Sequence, residues 1–417
     1  MGVSVTAAGS AEAEVLRTAM VEKLTGLGWG GIRSASVEAA MRTVPRHLFV
    51  PDATLERAYA QDSVVTHRDE RRVAISSASG PGVVAAQLEQ LDVQPGHRVL
   101  EIGAGTGYNA ACLAELAGSE GQVTAVDIGA EIVAEAREHL AAAGYPDVRV
   151  VQGDGHLGYP EGAPYDRIIV TAGAWDVPTA WREQLAPGGR LVVPLRVKGI
   201  SRSVALELDG EVWRSVSIEE RGFMPMRGPE AIGEFNAELP PKRGMWIRAD
   251  DGLPVDLQAL GAAVDTTPAQ AWSGVVVPWV PFDHLDYWLA GASAQVCRIL
   301  VSSHAVEEGL IKPLYSWGSM GLYTHDSFAY LIRRPAADTE TSGGAETVEL
   351  GACAYGPRAT QLADELVSRL QEWEQAKPHR AALRIEVHPA AAAPSDLAAM
   401  ITAEKRESTV FVISDQT

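Results

Sequence analysis

Val99-Leu-Glu-Ile-Gly103-Ala-Gly105-Thr-Gly107-Tyr-Asn109 is an apolar run that breaks into three alternating glycines and leads into an Ala/Leu-rich segment. It reads as a buried strand, a tight turn and a helix, the opening unit of a nucleotide-type cofactor site. Glycine at 103, 105 and 107 lets the backbone turn sharply and approach a ligand where any Cβ would collide. A pyrophosphate fingerprint would read G-x-G-x-x-G. Here the last glycine comes one residue early, position 108 is Tyr, and a carboxylate, Glu101, sits two residues ahead of the pattern. Such a loop suits a phosphate-free cofactor whose amino-acid part is zwitterionic, and S-adenosyl-L-methionine is the candidate. Two other readings stay open on this stretch alone: a glycine-rich turn in an ordinary α/β domain, and a nicotinamide site, which Tyr108 disfavours.

The flanking sequence extends the pattern. Gly121-Gln-Val-Thr-Ala-Val-Asp127 is a β-rich run ending in an acid 20 residues after Gly107, where a carboxylate can take both hydroxyls of a ribose. Val148-Arg-Val-Val-Gln-Gly153-Asp154-Gly155-His156 gives a third strand ending in an acid between glycines, placed to accept from an adenine amino group; His156 is a candidate lining residue of the same pocket. Asp166-Arg-Ile-Ile-Val-Thr-Ala172 and Leu185-Ala-Pro-Gly-Gly189-Arg-Leu-Val-Val-Pro194 supply two more strands. Between them, Glu131 to Ala143 places Ile132, Val133, Ala136 and Leu140 on one helical face. Strands alternating with helices predict an open, mostly parallel sheet with its ligand outside the carboxyl ends of the strands.

Val44-Pro-Arg-His-Leu-Phe-Val-Pro51, Ala58-Tyr-Ala-Gln-Asp62, Ser77-Ala-Ser79-Gly-Pro81, the Leu100 to Asn109 loop, Gly153-Asp-Gly155, Pro164-Tyr-Asp-Arg-Ile-Ile-Val-Thr-Ala172 and Phe223-Met-Pro-Met226 occur in that order. In order and spacing they resemble the protein-L-isoaspartate O-methyltransferases, over roughly residues 12 to 227. The resemblance implies a Rossmann-like class I S-adenosylmethionine-dependent methyltransferase fold. It also implies transfer of a methyl group to a carboxylate of an aspartyl or isoaspartyl residue. Glu101, Gly103, Gly105, Asp127 and Asp154 are implied to hold the cofactor, with Ala104, Gly107, Asn109, Ile128, Gly155, His156 and Thr171 completing the candidate cofactor set. Ser79 matches the family's active-site Ser/Thr region, although Ser-Ala-Ser-Gly-Pro stands where Thr-Ile-Ser-Gln-Pro is usual. Small residues around Ser79 would widen the substrate cleft, and the preceding Val64 to Ala74 segment is charged where the family carries a glycine-rich stretch.

The chain continues for about 190 residues past the last of these motifs, enough for a further unit. Gly274-Val-Val-Val-Pro, Ser327-Phe-Ala-Tyr-Leu-Ile-Arg, Val348-Glu-Leu-Gly-Ala-Cys-Ala-Tyr, a helix from Ala359 to Glu374, Ala382-Leu-Arg-Ile-Glu-Val-His388 and Thr409-Val-Phe-Val-Ile read as an additional C-terminal α+β domain. The expected division is a helical N-terminal segment over 1–76, a cofactor-binding core over 77–228, and a C-terminal domain over 229–417 that is a candidate for recognising a peptide substrate. Six of the ten tryptophans, from Trp246 to Trp373, fall in that last part and fit core packing better than a peptide-binding face. Pro281-Phe-Asp-His284, Asp326-Ser-Phe-Ala-Tyr-Leu331 and Gly351-Ala-Cys-Ala-Tyr-Gly-Pro357 make the extended layout similar to the FxLD-system methyltransferases that accompany lanthipeptides. That resemblance implies a modified precursor peptide as partner, with an isoaspartyl protein as the alternative.

Thirty-five basic against 54 acidic residues give a net charge of −19, which repels nucleic acid and anionic membrane. No stretch of 18 apolar residues and no signal-peptide pattern occur, so the expectation is cytoplasmic. Cys112, Cys297 and Cys353 lack metal or redox spacing and read as buried thiols. The ten histidines lack ligand spacing, so no metal is expected. Glu219-Glu220 and the Ala/Glu-rich first helix read as solvated faces, and the Pro/Ala-rich segments 335–346 and 389–395 as loops. A non-catalytic scaffold that binds cofactor or peptide is the reading from another class, opposed by the intact Glu101, Asp127 and Asp154.

Overall fold

A computed structural model describes residues 7–27, 31–70, 72–229, 235–241, 243–249, 256–279, 283–293, 295–336, 347–376 and 383–414. Residues 281–282 of the motif beginning at Pro281 and most of segment 335–346 lie outside the described residues.

The strands, in chain order, are β1 Val64–Arg68, β2 Ala74–Ala78, β3 Arg98–Ile102, β4 Gln122–Asp127, β5 Arg149–Gln152, β6 Tyr165–Val170, β7 Leu185–Val197, β8 Ile200–Asp209 and β9 Val212–Glu219. They continue with β10 Phe235–Glu238, β11 Met245–Ala249, β12 Ala269–Pro278, β13 Val296–Val301, β14 Gly318–Tyr323, β15 Phe328–Pro335, β16 Thr347–Tyr355, β17 Leu383–Pro389, β18 Ile401–Glu404 and β19 Ser408–Ser414. β1 and β2 form a separate antiparallel hairpin. The main sheet runs β18-β19-β17-β9-β8-β7-β6-β3-β4-β5, and a second, antiparallel sheet runs β10-β11-β13-β14-β15-β16-β12.

Within the main sheet β7, β6, β3, β4 and β5 are parallel, as the near-continuous apolar runs of β3 and β6 require of strands covered on both faces. The chain builds outward from β3 through β4 to β5, then returns to lay β6 on the other side of β3. This reversal opens a crevice at the carboxyl ends of β3, β4 and β6. Side-chain alternation splits each strand between two cores. Val99 and Ile169 join the N-terminal helices, while Leu100, Ile102, Ile168 and Val170 face the opposite way. The predicted helix after β4 spans Ala130–Ala142 and buries the expected Ile132, Val133, Ala136 and Leu140.

The second core does not stop at the main sheet. It runs without interruption from Leu191 and Val204 into Leu285 of the Asp283–Ala292 helix, Leu331 and Leu350 of the second sheet, and Leu366 and Trp373 of the Ala359–Ala376 helix, and on to Ile385 and Val410. The C-terminal α+β unit is therefore fused to the cofactor-binding sheet through one hydrophobic core. The sheets also depart from the expected boundary at 228/229. β17, β18 and β19 extend the first sheet beyond β9 and leave the second sheet to residues 235–355. Sequence reading identified β17 and β19, but neither β18 nor the partners of any of the three, because pairing is a non-local choice that apolar pattern leaves open.

Glu219 and Glu220 are not a solvated face. Glu219 is 4% exposed, beside Arg33 and Arg221, and Glu220 Oε1 lies 3.6 Å from buried Arg202. The first helix, Ala7–Thr25, also buries Met20, Val21 and Leu24 on one side. Of the C-terminal tryptophans Trp373 is buried, whereas Trp317 is 37% exposed and stacks on Tyr315. The three cysteines are buried and unpaired.

One buried carboxylate joins the two sheets. Asp286, on the Asp283–Ala292 helix, accepts from Arg202 of β8 and from Arg298 of β13, each at 2.6 Å, and all three are nearly inaccessible. Removing the carboxylate from between two buried cations leaves only the more distant Glu220, 3.6 Å from Arg202 and 3.9 Å from Arg298, to balance them. Asp286→Ala should cost about 3–5 kcal/mol of stability in denaturant unfolding; a loss below about 1 kcal/mol would show the pair to be solvated.

Candidate functional site

Three elements meet at the crevice. The turn after β3 holds Gly103, Gly105 and Gly107 at φ +101°, +51° and +89°, conformations that side chains resist. A Cβ on Gly103 would stand 2.4 Å from Thr171 Oγ1, which donates to the Gly103 carbonyl at 2.6 Å. Gly107 initiates the Tyr108–Ala117 helix and packs on Leu140, so its role is to turn the chain rather than to face the crevice. Asp127, at the end of β4, fastens the turn from the other side: its carboxylate accepts from Gly105 N at 3.1 Å and Gly129 N at 3.0 Å.

The resulting cleft encloses about 420 Å³ and is lined by Ser79, Glu101, Gly103, Ala104, Gly105, Asn109, Asp127, Ile128, Gly155 and Thr171 among others. Its size is within the range of small-ligand sites. Glu101 is wholly buried, and Asn109 donates to its Oε1 at 2.8 Å. Glu101 Oε2 and Asn109 Oδ1 have no hydrogen-bond partner. Two orphaned buried acceptors are costly, and a cationic donor arriving in the cleft would relieve both. Burial pushes the Glu101 carboxyl up to about 8, against the smaller opposing effect of Asn109.

Asp154 and His156 line a smaller adjoining cleft of about 150 Å³, which shares Met226 and Arg227 with the larger one. Asp154 accepts from His156 N at 3.0 Å. His156, read as a lining residue for adenine, turns its ring to Glu407, with Nε2 2.7 Å from Oε1. The opposite wall is the segment 222–227, tied to Gly173 by Gly173 N to Met224 O at 2.7 Å and Met226 N to Gly173 O at 2.9 Å.

Ser79 sits half-buried where β2 leads into the Pro81–Leu91 helix. Sequence reading gave Arg46 no role, though it lies within the quoted Val44 to Pro51 motif. Its guanidinium is 0% exposed, stacks over Tyr108 at 4.7 Å, and donates to Ser79 O at 2.7 Å and Ala58 O at 2.8 Å. An arginine amid apolar residues was the available signal. Gln87 was missed too; it is buried, lines the cleft and donates to Val170 O at 2.9 Å. His67 of β1 approaches Glu135 at 3.3 Å and latches the β1–β2 hairpin to the Ala130–Ala142 helix.

Comparison with known proteins bears on this geometry. The family model described as Protein-L-isoaspartate(D-aspartate) O-methyltransferase matches residues 17–221. A protein-L-isoaspartate O-methyltransferase of Methanopyrus kandleri is 43% identical over 224 residues, covering 52% of this chain and 94% of that relative. The chain belongs to the protein-L-isoaspartate O-methyltransferase family. A second member, from Methanoregula boonei, is 46% identical over 198 residues, 48% of this chain and 87% of its own. Among solved structures, a protein-L-isoaspartate O-methyltransferase covering 89% of this chain and 96% of its own has 20% identity and a TM-score of 0.49. A putative Plasmodium falciparum enzyme of the same name, in complex with S-adenosyl-L-homocysteine, covers 51% and 98% at 19% identity and a TM-score of 0.44. The family match ends at residue 221, so the second sheet and β17–β19 lie outside it. No helix among the described residues is long and apolar enough to cross a membrane.

The buried Glu101 has a measurable consequence for this family member. The folded protein keeps that proton up to about pH 8, whereas the unfolded chain releases it near the ordinary value of 4.5. Between these limits rising pH favours the unfolded state, so the stabilisation is present at acid pH and lost by about pH 8. Relative to Glu101→Gln, the ligand-free wild type should lose about 1.4 kcal/mol per pH unit across this window. Parallel stability curves for the two proteins would contradict this.

Proposed function

We propose that this chain transfers a methyl group from S-adenosyl-L-methionine to the free α-carboxylate of an isoaspartyl residue in a protein or peptide. The family assignment supports the reaction. The observation that carries the reading within this chain is a single cleft lined by an orphaned buried carboxylate, a glycine turn pinned by Asp127, and Ser79.

When bound, S-adenosylmethionine supplies an electrophilic methyl group on a sulfonium that is its own leaving group. In the proposed arrangement Glu101, ionised by the arriving charge, pairs with the ammonium of the methionine part, and Asn109 adds a second acceptor. Asp127 keeps lone pairs beyond its two backbone contacts and takes the ribose hydroxyls. Asp154 accepts from the adenine amino group; Ala104, Ile128, Gly155 and Thr171 supply the walls. His156 is withdrawn from this set by its bond to Glu407, and Gly107 acts through the turn.

A substrate carboxylate is already a competent nucleophile, so no general base is needed and alignment is the protein's main task. Ser79 is the proposed orienting hydroxyl, held by Arg46 through its carbonyl. Closing the cleft strips water from the incoming carboxylate and strengthens such contacts. Once that carboxylate is a methyl ester, the nitrogen of the following residue attacks it, expels methanol and closes a succinimide. Hydrolysis of that ring gives Asp and isoAsp.

A second reading has a specific observation in its favour: the Ser77-Ala-Ser79-Gly-Pro81 segment and a second sheet fused to the catalytic one. In it the chain is a tailoring enzyme of the FxLD type, starting from ordinary Asp in a modified precursor peptide such as a lanthipeptide. Mass spectrometry separates the readings. With cofactor present, a linear isoaspartyl peptide should gain one methyl and then lose methanol, whereas a ring-constrained Asp peptide should stay unchanged. Methylation of the constrained Asp peptide alone would overturn the repair-type reading. For the cofactor assignments, Asp127→Ala should weaken S-adenosylhomocysteine binding by about 10- to 100-fold in calorimetry; unchanged affinity would remove Asp127 from the ribose.

A further inference from the structure

The turn joining β18 to β19 reaches the cofactor cleft. β19 stands five places from β6 in the main sheet, about 24 Å away if the sheet were flat. Accumulated strand twist coils the sheet, and the turn meets the loops that follow β5 and β6. There Glu407 makes three contacts with the catalytic half. Its Oε1 bonds His156 Nε2 at 2.7 Å, its Oε2 accepts from Thr179 N at 2.9 Å, and its own N–H donates to Asp176 Oδ2 at 2.8 Å. Asp176 also holds Ser408 Oγ, and Lys405 Nζ lies 3.2 Å from the centre of the Trp175 ring. Arg406 forms part of the wall of the smaller cleft, with Asp154, His156 and Trp175.

The residue so gripped belongs to the Gly155–Leu157 turn, which Asp154 caps. Apart from Glu407, Trp181 and Gln184 hold this turn by donating to Gly155 O at 2.9 Å and to Leu157 O at 2.8 Å, and a Cβ on Gly155 would lie 2.5 Å from Ile102. Position 155 lines the cofactor cleft and Asp154 its neighbour. A displaced His156 would therefore move the backbone that presents Asp154.

We propose that Glu407 is a positioning residue for the cofactor: through His156 it fixes the Asp154–Gly155 turn, so that a hairpin lying outside the family-matched region completes the adenine end of the cleft. This rests on the cofactor reading above. Hydrogen bonds to an ionised carboxylate are stronger than neutral ones, and a turn held in its binding geometry binds ligand without the cost of ordering it.

The test uses the full chain, with S-adenosylhomocysteine as probe. Glu407→Gln, His156→Asn and the double variant should each bind it about 5- to 10-fold more weakly in calorimetry, the double variant no worse than either single one, as coupled partners require. In the absence of ligand, amide exchange over residues 153–157 should quicken in all three, while KM for a peptide substrate stays the same. Wild-type affinity in Glu407→Gln and His156→Asn, or losses that simply add, would overturn the proposal. If a variant fails to fold, exchange at 153–157 in Lys405→Ala, which loosens the hairpin without touching His156, replaces it; unchanged rates there would count against the proposal. Failure of the wild type itself to bind the probe would instead sink the cofactor reading on which the proposal stands.

Discussion

The clamp on the glycine turn after β3 is the constraint on which the cleft depends. Thr171 at the end of β6 donates to the Gly103 carbonyl, and Asp127 at the end of β4 accepts from Gly105. Three strands are thus fastened to one turn where the strand order reverses. Because Gly103 has no room for a Cβ against Thr171, the turn approaches β6 as closely as backbone can. That closeness leaves Glu101 dry and its Oε2 without a partner. The site stores a cost that a cationic ligand group removes, which is a physical reason for affinity rather than a matching of shapes alone.

Around this clamp the C-terminal half acts as a brace. Asp286 ties β8 to β13 through two arginines, and Glu220, one residue past β9, lies near both. The segment from Gly222 to Arg227 that walls the cleft begins two residues later. On the other flank β17 pairs with β9 and leads to the hairpin that holds His156. The second sheet and the last three strands therefore bear on the cofactor cleft from two directions, and share its hydrophobic core.

The parallel half of the fold was legible because its signals are local. A strand, glycines with positive φ and a following helix occupy consecutive residues from Val99 to Ala117, and the acids at 127 and 154 close later strands of the same kind. What was not legible depends on contacts across the chain. The neighbouring Arg221 does not mark Glu219-Glu220 as buried, and the other cations beside the pair, Arg33 and Arg202, are distant in sequence. The bond from His156 to Glu407 was hidden because the two are 251 residues apart. The same non-locality hid the pairing of β17 with β9.

The proposed seat of a sulfonium donor is the glycine turn clamped by Asp127 and Thr171, with the methyl group facing Ser79. A crystal structure with S-adenosylhomocysteine tests it most directly. The account predicts the amino group at Glu101, the ribose hydroxyls on Asp127, and the sulfur open toward Ser79. Ligand bound elsewhere, or in this cleft with its sulfur turned away from Ser79, would contradict it.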